Sequence, residues 1–374
     1  MTIDQYLTVQ LSPDYLDAIA CRAAKTHDMK VLHEMVSSNN VDYDAIARTA
    51  AKEGYRDIVR WMIELGATDY DEIAFSAARN GYRQLVNDML DNGATNYDSL
   101  ASVAARGGYK GLVHDLLVRG AEPEQAAIGA AGGGHSDLVE AMISRGATNF
   151  EEIASAAARE GYGQLVEAMI SHGATNFETI ASTAARGGHF DLVEAMISRG
   201  ATNFEAIAKA AAWHGHCHLV NAMVSRGATN FNDIAQAAAE NGHCNLVEVM
   251  IGRQGFDWVE VARSAAAYDH VDIVKDLIVR GFNDVEDRAT LTQLAELAAR
   301  YGMGEIIDQA ITRGVDPEPL AIEAAYNGHH SLVHSLVECG ASDLNEIALS
   351  AADGGHQALV DEMIAKGASL PEED

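Results

Sequence analysis

The residues best suited to chemistry are His214, His216, Cys217 and His218, followed 27 positions after His216 and Cys217 by His243 and Cys244. Imidazole and thiolate are the groups zinc prefers, and a site needs about four of them converging within bonding distance. His330 and His334 form a second pattern, an i, i+4 pair on one face of a predicted helix. No HExxH frames that pair, and no third ligand stands nearby in sequence, so it reads as an exposed pair. Gly132, Gly133 and Gly134 suggest a phosphate-cradling loop, but no GxxxxGK[ST] follows and no strand pattern precedes them. They read as a loosened turn. A GxSxG elbow is missing, and no nucleophile has an evident histidine partner. The chain is therefore expected to be no enzyme and to hold no metal and no cofactor.

Whether the His/Cys groups converge depends on the elements that carry them. Residues 148–174 read TNFEEIASAAAREGYGQLVEAMISHGA, and the next two blocks of 27, 175–201 and 202–228, repeat this with few changes. A fixed period of this kind decides the fold before any motif does. Phe150, Ile153, Ala154, Ala157 and Ala158 fall at i, i+3, i+4, i+7 and i+8, one stripe of a helix. Thr148 and Glu151 are spaced as a capping box that would start that helix. Gly161 would end it. Leu165, Val166, Met169 and Ile170 mark a second helix, which Gly173 would terminate. Neither stripe can be buried alone, so neighbouring units must stack, and the alanines allow close helix approach.

Units of this kind follow one another from residue 14 to residue 368, about thirteen in all, preceded by a capping segment (1–13) and followed by a polar tail (369–374). Tyr6, Leu7, Val9 and Leu11 are candidates to cover the first unit. Pro123 and Pro317 fall just inside first helices, where proline is tolerated. Irregular junctions are expected near 252–257 and 283–288, the latter an insertion, NDVEDR, read as a change of curvature or a protruding loop. Equivalent residues in adjacent units should lie about one helix-packing distance apart, roughly 10 Å. That separates Cys217 from Cys244 too far for a disulfide. His216 and His243 share the turn position with His135, His189, His329 and His356, so one structural role, satisfying backbone groups, explains all six.

The pattern AAxxGHxxLVxxMIxxGA, seen in Ala184, Ala185, Gly188, His189, Leu192, Val193, Met196, Ile197, Gly200 and Ala201, resembles the ankyrin repeat. The opening TNF or TNY departs from the ankyrin TPLH, and the period of 27 is shorter than about 33. The missing stretch corresponds to the β-hairpin finger, which implies an all-α solenoid of helix–turn–helix units without projecting hairpins. In this the sequence is similar to the shortened ankyrin-type repeats of large DNA viruses of amoebae. The resemblance implies protein–protein interaction through a concave face lined by the first helices.

The 374 residues carry a formal net charge of −29 from 55 acidic and 26 basic side chains. Duplex nucleic acid is a poor partner for such a chain, because binding it requires cationic side chains. Four cysteines without CxxC spacing point to a reducing, intracellular setting such as the cytoplasm, that of a host cell if the viral resemblance holds. The N-terminus lacks the pattern of a signal peptide. No apolar run reaches the roughly 18 residues of a membrane span.

The patterned charge has a local explanation. Acids recur early in first helices (Asp44, Asp71, Asp98, Glu124, Glu151, Glu178, Glu205), and one row of bases ends them, Arg106, Arg159 and Arg186 among its members. A second row, Arg119, Arg199 and Arg280 included, ends the second helices. Both complement helix dipoles by about 0.3–1 kcal/mol per charge. The first row could alternatively contact an acidic partner. Where the units differ, Arg48, Phe75, Lys209, Trp213, Arg263, Tyr268 and Tyr326 stand out as candidate partner contacts, aromatics and arginine being enriched in interface hot spots. The sequence thus reads as an interaction scaffold for a protein partner. An acidic decoy imitating nucleic acid, or a self-associating particle component, is the alternative.

Overall fold

The computed structural model describes residues 13–37 and 41–370. The proposed cap residues Tyr6, Leu7, Val9 and Leu11 lie outside the described residues. Twenty-six α-helices and no strands occur among the described residues, so each unit is a helix pair joined by tight turns, as the sequence pattern predicts. The chain divides into two compact units, 1–202 and 203–374.

The first unit comprises the pairs α1 (Pro13–Lys25) and α2 (Met29–Val36), α3 (Tyr43–Glu53) and α4 (Arg56–Leu65), α5 (Tyr70–Ala78) and α6 (Arg83–Asn92), and α7 (Tyr97–Arg106) and α8 (Lys110–Val118). It continues with α9 (Pro123–Gly132) and α10 (Ser136–Ile143), α11 (Phe150–Arg159) and α12 (Gly163–His172), and α13 (Phe177–Arg186) and α14 (Phe190–Ser198). The second unit comprises α15 (Phe204–Trp213) and α16 (Cys217–Ser225), α17 (Phe231–Ala239) and α18 (Cys244–Met250), and α19 (Trp258–Ala267) and α20 (Val271–Asp284). It ends with α21 (Arg288–Arg300) and α22 (Gly304–Thr312), α23 (Pro317–Tyr326) and α24 (His330–Glu338), and α25 (Leu344–Asp353) and α26 (Gln357–Ala365). Within each unit the odd-numbered helix of one pair packs on that of the next and on its own partner.

The core follows the sequence stripe. Ile153, Ala154, Ala157 and Ala158 of α11 are fully buried, as are Val166 and Met169 of α12, and the equivalent positions recur pair after pair. A buried alanine contributes little apolar area, so larger Ile, Leu, Val and Met side chains supply most of the hydrophobic stabilisation. The alanines set the helix spacing instead. Pro123 and Pro317 occupy the first turn of α9 and α23, where no N–H is missed.

The start of α11 differs from the predicted capping box. Asn149, not Thr148, caps the helix, accepting a hydrogen bond from the Glu152 N–H at 3.2 Å. Glu151 points away from its own helix and accepts from the backbone N–H groups of Thr175 (2.6 Å) and Asn176 (3.1 Å) in the following pair. The same forward reach recurs from Asp44 to Thr68 and Asp69, from Asp71 to Thr95 and Asn96, and from Glu124 to Thr148 and Asn149. In the second unit Glu205 and Glu318 make the same reach. These acids therefore fasten the opening of the next pair, a stronger interaction than the helix dipole alone provides. Glu151→Ala should lower stability by about 1–2 kcal/mol, because the freed N–H groups are exposed and water replaces part of the loss. A urea denaturation series including Glu151→Gln, which keeps one acceptor oxygen, checks it; equal stability of all three proteins would refute this role.

The turn histidines make one repeated contact. The Nε2–H of His135, His189, His243, His329 and His356 donates to the carbonyl of Arg106, Arg159, Trp213, Arg300 and Tyr326, at 2.8–3.1 Å. Each acceptor is the last residue of the first helix in the preceding pair, so the ring satisfies one of the carbonyls a helix end leaves open. His270 does the same for Glu240. Of the triple glycine, Gly132 ends α9, and Gly133 and Gly134 form the turn that follows, which is closely packed rather than loosened. Side chains at Gly129 and Gly133 would collide with the carbonyl oxygens of Ser102 and Arg106, so backbone meets backbone there.

The insertion before α21 also differs from a protruding loop. Asn283 and Asp284 continue α20 to fourteen residues, and α21 begins at Arg288. Phe282 is fully buried and supports this extension; Arg313 donates to its carbonyl at 2.7 Å and sits 5.2 Å above its ring. Upstream, α18 is cut to seven residues, and Gly252 and Gly255 both take left-handed conformations. Asp269 holds φ +61°, the conformation that glycine supplies in sister turns.

Part of the second basic row also makes charge pairs between successive second helices. Arg119 pairs with Asp91 (2.8 Å), Arg199 with Glu167 (2.6 Å) and Arg280 with Glu248 (3.0 Å). Nearer the start of these helices, Arg83 grips Asp115 with two hydrogen bonds of 2.5 and 2.6 Å. That fork, with Asn87 assisting, holds the Asp115 carboxyl below its ordinary range. Lys110 does the same for Asp137, and the Thr290 hydroxyl for Asp287. A depressed folded pKa means that the unfolded chain binds the proton first, so the stabilisation holds above about pH 4 and is lost as pH falls through the folded values. Relief of the −29 charge opposes this trend in the same window. The difference between the parent chain and Asp115→Asn cancels that shared term. It should shrink below about pH 4 in urea midpoints measured from pH 7 to 3.

Candidate partner-binding face

The first helices present shallow grooves in both units. In the second, α19, α21 and α23 line a groove of about 360 Å³ that includes Arg263, Gln293, Glu296, Arg300, Tyr301 and Glu323. Arg263 projects from α19 into solvent, and among the described residues its guanidinium has no ion-pair partner. Arg300 donates to Glu323 at 2.7 Å, which raises the arginine's pKa further. Burial pushes the Tyr301 phenol up, partly offset by Arg300 beside it. Tyr268 caps α19 and is 54% exposed; Tyr326 ends α23 and is 52% exposed. Three tyrosines thus stand at the C-terminal ends of three consecutive first helices; Tyr301, Arg263 and Arg300 line the groove, and Tyr268 and Tyr326 lie outside its lining.

The other sequence candidates are placed differently. Arg48, half-buried on α3, pairs with Asp69 at 3.1 Å, the residue that caps α5, so it ties two pairs together. Phe75 lies half-buried in the middle of α5. Lys209 on α15 is exposed and reaches Asp233 of α17 at 3.5 Å. Trp213 ends α15, 40% exposed, and its carbonyl receives the His243 ring. Arg48 and Phe75 belong to the first unit, the remaining five to the second. Sequence reasoning missed Tyr301. Its signal was present: it precedes the turn glycine Gly302, as Tyr268 precedes Asp269.

The His/Cys cluster does not assemble into a ligand set. Among the described residues no three His, Cys, Asp or Glu side chains are arranged to hold a metal ion. The His243 ring is committed to a backbone carbonyl, and all four cysteines are free thiols. His334 donates to Glu362 at 2.8 Å and accepts from Lys366 at 2.8 Å, so the i, i+4 pair has partners on the next second helix. Among the described residues no helix is long and apolar enough to cross a membrane.

Stacked helix pairs, without strands among the described residues, define the class: an all-α helical-repeat protein. No family model matches the chain, and no curated protein matches it. Among solved structures it is similar to the ankyrin repeat domain of human ASB11, over 49% of this chain and 98% of that one, at 17% sequence identity and a TM-score of 0.36.

Proposed function

We propose that the chain is a non-enzymatic, ankyrin-like interaction scaffold that engages a protein partner along the first-helix face. The observation that carries this reading is the tyrosine and arginine edge of the second unit. Large aromatic side chains half in water contribute nothing to the core, and Tyr with Arg is the composition of binding hot spots. Arg263, Tyr268 and Tyr326 are the contacts, joined by Arg300 and Tyr301. Trp213 and Lys209 extend the surface on α15. Arg48 and Phe75 fit less well, because Arg48 is committed to Asp69 of the next pair and Phe75 is half-buried on α5.

The test is affinity capture with Arg263→Ala/Tyr268→Ala/Tyr326→Ala beside the parent chain. The triple variant should keep its helix content by circular dichroism and lose a partner that the parent recovers. Phe75→Ala should recover that partner at parental yield. An unchanged set of partners with the triple variant would displace the site.

The alternative is a decoy or particle component acting through negative charge. It is less well supported, because many of the patterned acids are engaged inside the fold. That reading predicts steep loss of binding between low and moderate salt, insensitive to the aromatic variants.

A further inference from the structure

The second helices of the first unit are joined by a repeated charge pair, and one joint lacks half of it. In three joints the first residue of a second helix is a cation that crosses to a carboxylate on the next second helix. Arg56 of α4 reaches Asp88 of α6, and Arg83 of α6 reaches Asp115 of α8. Lys110 of α8 reaches Asp137, the second residue of α10. Between α12 and α14 the acid is present and the cation is not. Asp191 is the second residue of α14, as Asp137 is of α10, but the first residue of α12 is Gly163. Among the described residues the exposed Asp191 carboxylate has neither an ion-pair nor a hydrogen-bond partner.

The missing side chain leaves a groove of about 480 Å³ between α12 and α14, with Gly163, Glu167, His189, Phe190 and Asp191 in its lining. The vacant place is open, since a Cβ on Gly163 would have nothing within 4 Å. Among the described residues no lysine or arginine lines the groove. Its two carboxylates differ. Glu167 is engaged at 2.6 Å by Arg199, just past the end of α14. The His189 ring is committed through its Nε2–H to the Arg159 carbonyl. The uncompensated charge is therefore that of Asp191. Next to it in sequence and in the groove stands Phe190, 41% exposed. An ammonium on a long hydrocarbon stem suits both neighbours, the charge meeting the carboxylate and the stem covering the ring.

We infer that this groove takes a lysine side chain from a basic segment of a partner protein, in the place that Lys110 fills from within at the α8–α10 joint. The Lys110–Asp137 pair is the internal precedent: the same acid position, met by the same chemistry. Long-range attraction favours such a partner as well, because the chain carries a net charge of −29. This surface belongs to second helices of the first unit. It is independent of the tyrosine edge, which belongs to first helices of the second.

The test uses the full chain and a fluorescently labelled, lysine-containing peptide, beside its counterpart with every lysine acetylated and with spermine as competitor. Anisotropy is followed at about 0.15 M salt, where diffuse attraction is screened beyond about 8 Å. The lysine peptide should bind and the acetylated one should not. Asp191→Asn should weaken binding about tenfold, the scale of one lost charge-assisted hydrogen bond. Gly163→Lys should weaken it at least as much with helix content retained, because the new side chain closes on Asp191 as Lys110 closes on Asp137. Phe190→Ala should weaken it by about two- to fivefold. Asp137→Asn removes the same formal charge where an internal lysine already sits, and it should leave binding unchanged, as should Tyr268→Ala/Tyr326→Ala. Equal binding of the two peptides, indifference to either Asp191→Asn or Gly163→Lys, or an equal loss in Asp137→Asn overturns the inference. Spermine that binds more tightly than the peptide, and is itself weakened by Asp191→Asn, would also overturn it by assigning the groove to a free polyamine. Failure of the tyrosine variants to alter partner capture bears only on the other site.

Discussion

Gly129→Ala is expected to destabilise the first unit by about 2–3 kcal/mol, although alanine is the better helix former. A methyl group at this position falls on the Ser102 carbonyl oxygen, which is backbone and cannot rotate away. Helix propensity returns about 1 kcal/mol at most, so the clash wins. The α7–α9 contact must then open, exposing Ala126, Ala127 and Ala130, all fully buried at present. Gly132→Ala is the internal comparison, since its nearest neighbour is the flexible Arg106 side chain at an ordinary 3.5 Å. Paired urea denaturations of the two variants give the result; equal midpoints would mean that the backbone contact is not tight.

Gly161→Ala should be about as costly, for a different reason. Its φ of +82° penalises any Cβ by about 1–2 kcal/mol, and a methyl there would also stand 2.5 Å from the His189 ring. That ring is held by its hydrogen bond to the Arg159 carbonyl, at 2.9 Å. Gly173→Ala separates the two causes: φ is +122°, but nothing lies within 4 Å of a new Cβ. In His189→Ala the ring is gone, so Gly161→Ala should then cost only the backbone term. A double-mutant cycle by thermal or urea unfolding measures that coupling, and additivity of the two changes would exclude ring contact as the second cause.

Much of this architecture was legible in the sequence because side-chain periodicity and turn glycines are local signals. Ile153, Ala154, Ala157 and Ala158 announced the buried face of α11, and the shared position of His135, His189 and His243 announced a common role. The use of Glu151 was not legible. In a chain with a 27-residue period, Thr148 and Thr175 are the same residue in two copies, so spacing alone cannot tell a bond to one from a bond to the other. Only the packing of successive pairs, which brings Thr175 and Asn176 to Glu151, resolves it. The end of α20 escaped for a related reason: six added residues shift the register, and buried Phe282 favours continued helix over a loop. The tyrosine edge was visible too, since Tyr268 and Tyr326 are unusual for their positions, and Tyr301 stands directly before Gly302 as Tyr268 stands before Asp269.

The forward-reaching carboxylate also bears on how such a chain can lengthen. A duplicated unit arrives with its own anion for its successor and its own opening N–H groups for its predecessor, so the joint is complete on both sides without compensating change. Each copy that uses Asp or Glu for the reach brings one carboxylate whose place is structural, whereas Asn232 and Asn345 make the same bond without charge. Part of the count of 55 acids is thus an inheritance of length rather than a mark of selection for an anionic surface.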